Sequence, residues 1–509
     1  MSSDTSAFPD PVYAETVLAV NFRDAQKHFL EPLLQIHYAH TLMLARQKII
    51  PAAAAKQCIE ALDGLDRQAL ATAPYDGRTE DLFFFVEQAL EAACGPDNAG
   101  RMHTARSRND IDITQYRMLL RERILQIVAA LNKARATLLA LAYKHRATLM
   151  PAYTHTQPAQ PITFGHYLLG VLELLERDAN RFAAAYTTVN RCPLGACAIS
   201  TTGFPIDREF TADLLGFDGL QLNSYGAIAA TDYVTETMGT IATAMVNLGR
   251  VTQDLLQWST VEFGYLRLTD AWVQISSIMP QKRNPVPLEH VRLLASKALA
   301  EATGAVTMLH NTPFADTNDA EDGLQPLVLA AAADAVRVLR IFNGVMDTCQ
   351  VNEARMAERA ASDFLTVTEL ADTLVRTEGF SFRAAHHLVS AAVKNLAGTY
   401  SIGAMVDAVI RLAPQVIGRP LHTDRTLQEK ALDPQNFIAV RTVPGGPAPQ
   451  PMETALTAAK EALTRSAVWE NARLEAMQSY PKRIMEAAAA LSATSLRRSD
   501  EDAVFQKPT

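Results

Sequence analysis

Two hydroxyls, a lysine and two amides crowd around a pair of prolines in the run Ser276-Ser277-Ile278-Met279-Pro280-Gln281-Lys282-Arg283-Asn284-Pro285. Proline disfavours helix at the residue before it and donates no backbone hydrogen bond, so the run is expected to be an exposed loop. Such groups suit the binding and deprotonation of a carboxylate-bearing substrate. A serine hydroxyl is a poor base unless its alkoxide is stabilised, which the N–H groups of a tight loop and Lys282 would do. Glu289 lies four residues beyond Pro285, on the following helix. The bland alternative is a Ser/Pro turn with incidental charge.

Two further polar runs flank long helical patterns. His103-Thr104-Ala105-Arg106-Ser107-Arg108-Asn109-Asp110 directly precedes one of them. Arginines, a serine and an asparagine at a helix start favour an anion, because free backbone N–H groups add to the cations. A capped, solvated helix start accounts for the same residues. Tyr153-Thr154-His155-Thr156-Gln157-Pro158-Ala159-Gln160-Pro161 sets one histidine between two threonines. That suits a general acid or base, though a lone histidine also serves as a satisfied structural residue.

The elements that must position these runs are helices. Leu120, Ile124, Ile127, Leu131, Ala134, Leu138 and Leu141 step by four and three, and no Gly or Pro interrupts 110–149. This spacing keeps one seam against a partner helix. Similar patterns cover 163–189, 227–263, 288–309 and 327–346. Five such helices predict a bundle about 40–50 Å long. A coiled-coil rod is the simpler reading of the seams, but the loops between them are too rich in chemistry for one. Residues 1–109 mix shorter helices with turns, and 361–509 show short helices broken by glycines. Three regions are therefore expected, 1–109, 110–360 and 361–509, packed as one unit, with a disordered polar tail from Arg497.

Bulk composition excludes several function classes. A net charge of −8 gives no basic field for nucleic acid or an anionic membrane surface. The five cysteines form no CxxC pair or His-flanked cluster, which fits a reduced, cytoplasmic protein. The first residues lack the pattern of a signal peptide. Charged Asp334, Arg337 and Arg340 make 327–345 a core helix rather than a membrane span.

In chain order the three runs resemble the signatures of the fumarase/aspartase superfamily, and within it of the argininosuccinate lyase family. The superfamily's Gly-Ser-Ser-x-Met-Pro-x-Lys-x-Asn-Pro loop is matched over Ser276–Pro285. The branch's own His-Thr-x-Arg-Ser-Arg-Asn-Asp and Tyr-Thr-His-x-Gln-x-Ala-Gln-Pro motifs are matched at 103–110 and 153–161. The resemblance covers roughly residues 75–450. It implies an all-α, three-domain subunit whose five-helix bundle joins three others in a twenty-helix tetramer core, with each active site drawn from three chains. It also implies reversible anti elimination of an N-substituted aspartate to fumarate and an amine, without metal or organic cofactor. By position, Ser276 would be the base, and Ser277, Lys282 and Asn284 would grip a carboxylate. Ser107, Arg108, Asn109 and Thr154 would hold the rest of the succinyl half, and His155, oriented by Glu289, would be an acid or charge relay.

Departures from the family concentrate away from those motifs. The glycine before the paired serines is Ile275, and the histidine of a Glu-Asp-Ile-His motif is Phe83. The segment Phe314–Gly323 lacks the Tyr, Gln and Lys that serve the amino-acid half, and carries Asp316, Asp319, Glu321 and Asp322 instead. This acidic run either attracts an amine or forms a solvated helix cap. Losing hydrogen-bonding partners for a polar group costs much discrimination. The expectation is therefore an amine other than arginine, as in ethylenediamine-disuccinate (EDDS) lyases acting on aminopolycarboxylic acids. A genuine argininosuccinate lyase is the alternative, and an inactive lens-crystallin-like homologue the remote one.

Overall fold

The computed structural model describes residues 8–398 and 400–504, with side chains up to residue 493. Helices α1 (Leu30–Arg46) and α2 (Leu82–Cys94) belong to the N-terminal region. The bundle follows as α3 (Arg108–Lys144), α4 (Phe164–Val189), α5 (Asp232–Trp258), α6 (Val286–Leu309) and α7 (Gln325–Thr348). The seam residues Leu120, Ile124, Ile127, Leu131, Ala134 and Leu138 are all buried in one apolar cluster shared by the five helices. At 1.5 Å per residue, the 37 residues of α3 span about 55 Å.

Tracing the chain defines two ends of this bundle. At the near end α3 begins, and the segment between α6 and α7 returns there, since Tyr116 donates to the Asp322 carboxylate at 2.8 Å. At the far end α3 finishes, α4 begins and α5 ends, with the Trp258 ring 4.7 Å from that of Tyr167. Among the described residues, short strands decorate only this far end. They are the hairpin β1 (Leu149–Thr154) with β2 (Gln157–Thr163), β3 (Leu266–Arg267) paired with β6 (Gln350–Val351), and β4 (Gln274–Ile275) paired with β5 (Arg283–Asn284).

A second apolar cluster joins α1, α2 and the segment 192–217, and a third lies within 370–432. The final helix, α8 (Pro449–Val504), does not join the third cluster. Met452 and Leu456 enter the bundle core, while Tyr480 and Ile484 pack into the N-terminal one. Within 361–509, the region expected as one small C-terminal unit, this helix thus packs on the two other clusters. The tail expected from Arg497 falls on the last turns of α8, which runs to Val504. Residues 505–509 lie outside the described residues.

Candidate active site

Ser276–Lys282 form the tip of a hairpin stemmed by Gln274 opposite Asn284 and Ile275 opposite Arg283. The Ser276 Oγ accepts hydrogen bonds from the backbone N–H of Met279 (2.9 Å) and Ile278 (3.3 Å). Two donors thus already point at the oxygen that would carry negative charge as an alkoxide. Ser277 and Lys282 are exposed, and neither side chain is hydrogen-bonded among the described residues. The Asn284 amide donates to the Gln274 carbonyl at 3.0 Å, so in this conformation it closes the stem. Arg283 anchors that stem through Asp270 (2.5 Å) and the Leu268 carbonyl (2.8 Å). Beside the stem runs a groove of about 870 Å³ lined by Lys282, Asn284, Arg267 and Gln350.

Trp272, two residues before the stem, packs against α7 at Gly344, where a Cβ would sit 2.6 Å from the ring's Cη2. Gly344→Ala is therefore expected to cost roughly 1–3 kcal/mol by overpacking. Displacing the indole should also re-aim the stem and lower turnover. Denaturant midpoint and steady-state rates check this, and no change in either would show that the indole does not hold the loop.

The second run is the β1–β2 hairpin, a β element where only a helix-flanking loop was expected. His155 and Thr156 form its two-residue tip, with φ of +51° and +63°. Positive φ at both positions is the signature of the type I′ turn, usually supplied by Asn-Gly. Two ordinary side chains held there mark local strain, which clusters at functional sites. The strain sets Thr154 and His155 at an exposed tip. Below it, the Tyr153 hydroxyl meets that of buried Tyr265 at 2.6 Å, fixing the hairpin to the strand that leads into the Ser276 loop. Glu289 lies in the first turn of α6, also exposed. Among the described residues, neither its carboxylate nor the His155 ring is hydrogen-bonded, so one chain alone does not bring them together.

The first run lies at the opposite end. Ser107 is the N-cap of α3 and its hydroxyl donates to the Asn109 side-chain oxygen at 2.7 Å. The two arginines have different fates. Arg106 points inward beside the Phe83 ring, and burial lowers its pKa to about 10. It is not available to an anion at the surface. Arg108 pairs with Asp81 (2.7 Å) and Glu80 (3.3 Å). Burial works against its charge, but Asp81 and then Glu80 more than offset that and raise its pKa. The Asn109 amide donates to Asp316. Phe83 is buried and packs against His37 and His103, so this departure alters the N-terminal core rather than the open face of the site.

One residue carries more than its sequence position suggested. Asp110 is fully buried and its carboxylate accepts from the N–H groups of Ser107 (2.9 Å), Gly195 (2.8 Å) and Cys197 (2.8 Å). It ties the 103–110 turn to a loop eighty-five residues further on. The Ser-x-x-Asp spacing at the start of α3 was a usable signal, because it is the pattern of a capping box.

The acidic segment belongs to this same end. Asp316 faces Asn109, and Asp322 accepts from Tyr116. Burial, and then the neighbouring Asp316, push Glu321 up to about 7. The Ser107–Asn109 cluster therefore shares its surroundings with carboxylates. The His155 and Ser276 clusters share the far end, about 55 Å away along α3.

Residues 25–300 match the protein family described as Lyase, and 364–439 the family described as Argininosuccinate lyase C-terminal. Argininosuccinate lyase 2 of Agrobacterium fabrum is 43% identical over 462 residues, 90% of this chain and 91% of the relative. Argininosuccinate lyase of Methanocaldococcus jannaschii is 37% identical, over 86% of this chain and 90% of its own length. Among solved structures, EDDS lyase in complex with formate superposes with a TM-score of 0.84 at 30% identity. That match covers 96% of this chain and 97% of the other.

Proposed function

Since the chain belongs to the argininosuccinate lyase family of the fumarase/aspartase superfamily and is a fumarate-releasing C–N lyase, we propose that it cleaves an N-substituted aspartate whose amine half is not arginine. An aminopolycarboxylic acid such as EDDS is the substrate class that fits. The observation that carries this reading is the segment 314–323 beside Asn109, which holds Asp316, Asp319, Glu321 and Asp322 and no Tyr, Gln or Lys.

In this reading Ser276 removes a proton from the carbon β to nitrogen. The electron pair passes into the adjacent carboxylate as an aci-carboxylate, which Ser277, Lys282 and Asn284 hold. Collapse of that intermediate expels the amine and leaves fumarate, with His155 as the acid or relay. Ser107, Arg108, Asn109 and Thr154 grip the rest of the succinyl half. A site that uses both ends of the bundle needs other copies of the chain, and the length of α3 supports a homotetramer with sites built from three subunits.

A genuine argininosuccinate lyase is the second reading, and the 43% identity to a protein of that name favours it. An amine screen separates the two. Fumarate is incubated with arginine, ethylenediamine, other diamines and simple amino acids, and its loss is followed by ultraviolet absorbance. Addition of diamines with little addition of arginine is the expected result. Strong turnover of argininosuccinate with none of the diamine adducts would sink the preferred substrate.

A further inference from the structure

Resting on the reading of His155 as the acid or relay, we propose that Arg359 is a positioning residue that sets His155 through the hydroxyls of Tyr265 and Tyr153. Among the described residues, two adjacent non-glycine residues share a positive φ at only two places. One is the hairpin tip, His155-Thr156, and the other is Asp363-Phe364, at +51° and +61°. Such pairs persist only where their surroundings over-determine them. The two strained pairs are far apart in sequence, yet one line of side chains joins them.

The line starts at Asp363, which pairs at 2.7 Å with Arg359 in the last turn of the helix Glu353–Ala360. Arg359 in turn lies beside the hydroxyl of Tyr265. A guanidinium only donates, so it directs the proton of the buried Tyr265 hydroxyl towards Tyr153, 2.6 Å away. Tyr153 stands on β1, two residues before His155. The start of the same helix is clamped to this region as well. The Asn352 N–H donates to the Tyr265 carbonyl at 2.8 Å, and Arg355 reaches the Phe263 carbonyl at 3.4 Å. Beyond Asp363, Phe364 packs on the third apolar cluster, its ring 4.9 Å from that of Tyr400. Gln160 on β2 donates to Thr368 at 3.2 Å, a second tie from the hairpin to that segment. A tip built from His and Thr has no local preference for its turn, so its direction is set from below. Arg359 is the one cation in that support, and Asp363 holds it in place from a separate core.

Turnover is read as fumarate released from argininosuccinate or consumed with ethylenediamine, whichever the protein uses faster. Arg359→Met keeps the apolar stem and removes the guanidinium, and Tyr265→Phe removes one oxygen. Each should lower kcat on the order of tenfold, because each lets the hairpin tip shift. The double variant should lose no more than the larger single loss, since both changes break one line. Arg359→Lys, one compact cation for two partners, should recover part of the loss. The deciding comparison is made in a His155→Ala background. There Arg359→Met and Tyr265→Phe should leave the residual kcat unchanged, while lowering the unfolding temperature as much as they do in the parent. Equal fractional losses of kcat in both backgrounds would mean a merely structural role and overturn the proposal, as would normal kcat in both single variants. Either result leaves the role of His155 standing. Normal turnover by His155→Ala itself would instead sink that role, and this proposal with it.

Discussion

Ser276→Ala is expected to lower turnover by roughly 10²–10⁴-fold while leaving the fold and assembly intact. The loss is large because the Oγ already has two backbone donors aimed at it, from Ile278 and Met279. Those donors stabilise an alkoxide without reorganisation, and alanine leaves no oxygen for them to stabilise. The fold should survive because the residue lies on an exposed loop whose stem is fixed elsewhere, by Arg283 on Asp270 and Leu268 and by Asn284 on Gln274. Fumarate release is measured beside thermal unfolding and size in solution. Near-normal turnover in a correctly assembled protein would mean that another group is the base.

Asp110→Ala is expected to damage both stability and activity. It strands three backbone N–H groups at once, the buried ones of Gly195 and Cys197 and the half-buried one of Ser107. Each buried donor left without a partner costs about 1–3 kcal/mol, so a loss on the order of 3–5 kcal/mol is expected after partial relaxation. Ser107, Arg108 and Asn109 ride on the turn that this carboxylate fixes, and misplacing a binding group by an ångström can cost about a hundredfold in rate. Asp110→Asn keeps the shape but turns one acceptor into a donor facing donors, so it should rescue only part of the loss. Urea midpoints and kcat/KM are the readouts, and an alanine variant of normal stability would show that water replaces the carboxylate there.

The same residue sets a pH dependence. Burial lifts the Asp110 carboxyl to about 6, against the pull of its three hydrogen bonds and Arg106. A folded-state value above the unfolded one means that stability from this group is present at low pH and lost as pH rises through about 6. The geometry of the 103–110 turn needs the carboxylate, so turnover should move the other way and decline as pH falls below about 6.

The bundle is legible in the sequence because its signal is local and repeated. A seam of Leu, Ile and Ala at steps of three and four specifies a buried helix face wherever the partner lies. The β1–β2 hairpin is not legible there. Its three prolines disguise the strands, and its tip is His155-Thr156 rather than Asn-Gly, a conformation that only surrounding contacts such as Tyr153 on Tyr265 sustain. Phe83 misleads for a related reason. Its motif position marks a departure, but no local pattern tells that the side chain turns inward against His37, His103 and Arg106.

By itself the sequence determined the helical architecture and the three chemical runs, because residue type and short-range spacing encode these directly, while the kind of reaction they serve followed from the resemblance of those runs to a known family. The tertiary structure decided which end of the bundle each run occupies, that Arg106 is buried and Arg108 already paired, and that Asp316 faces Asn109. These depend on contacts between residues as far apart as 109 and 316. Only packing of the long helices sets such distances, and no spacing along the chain records them.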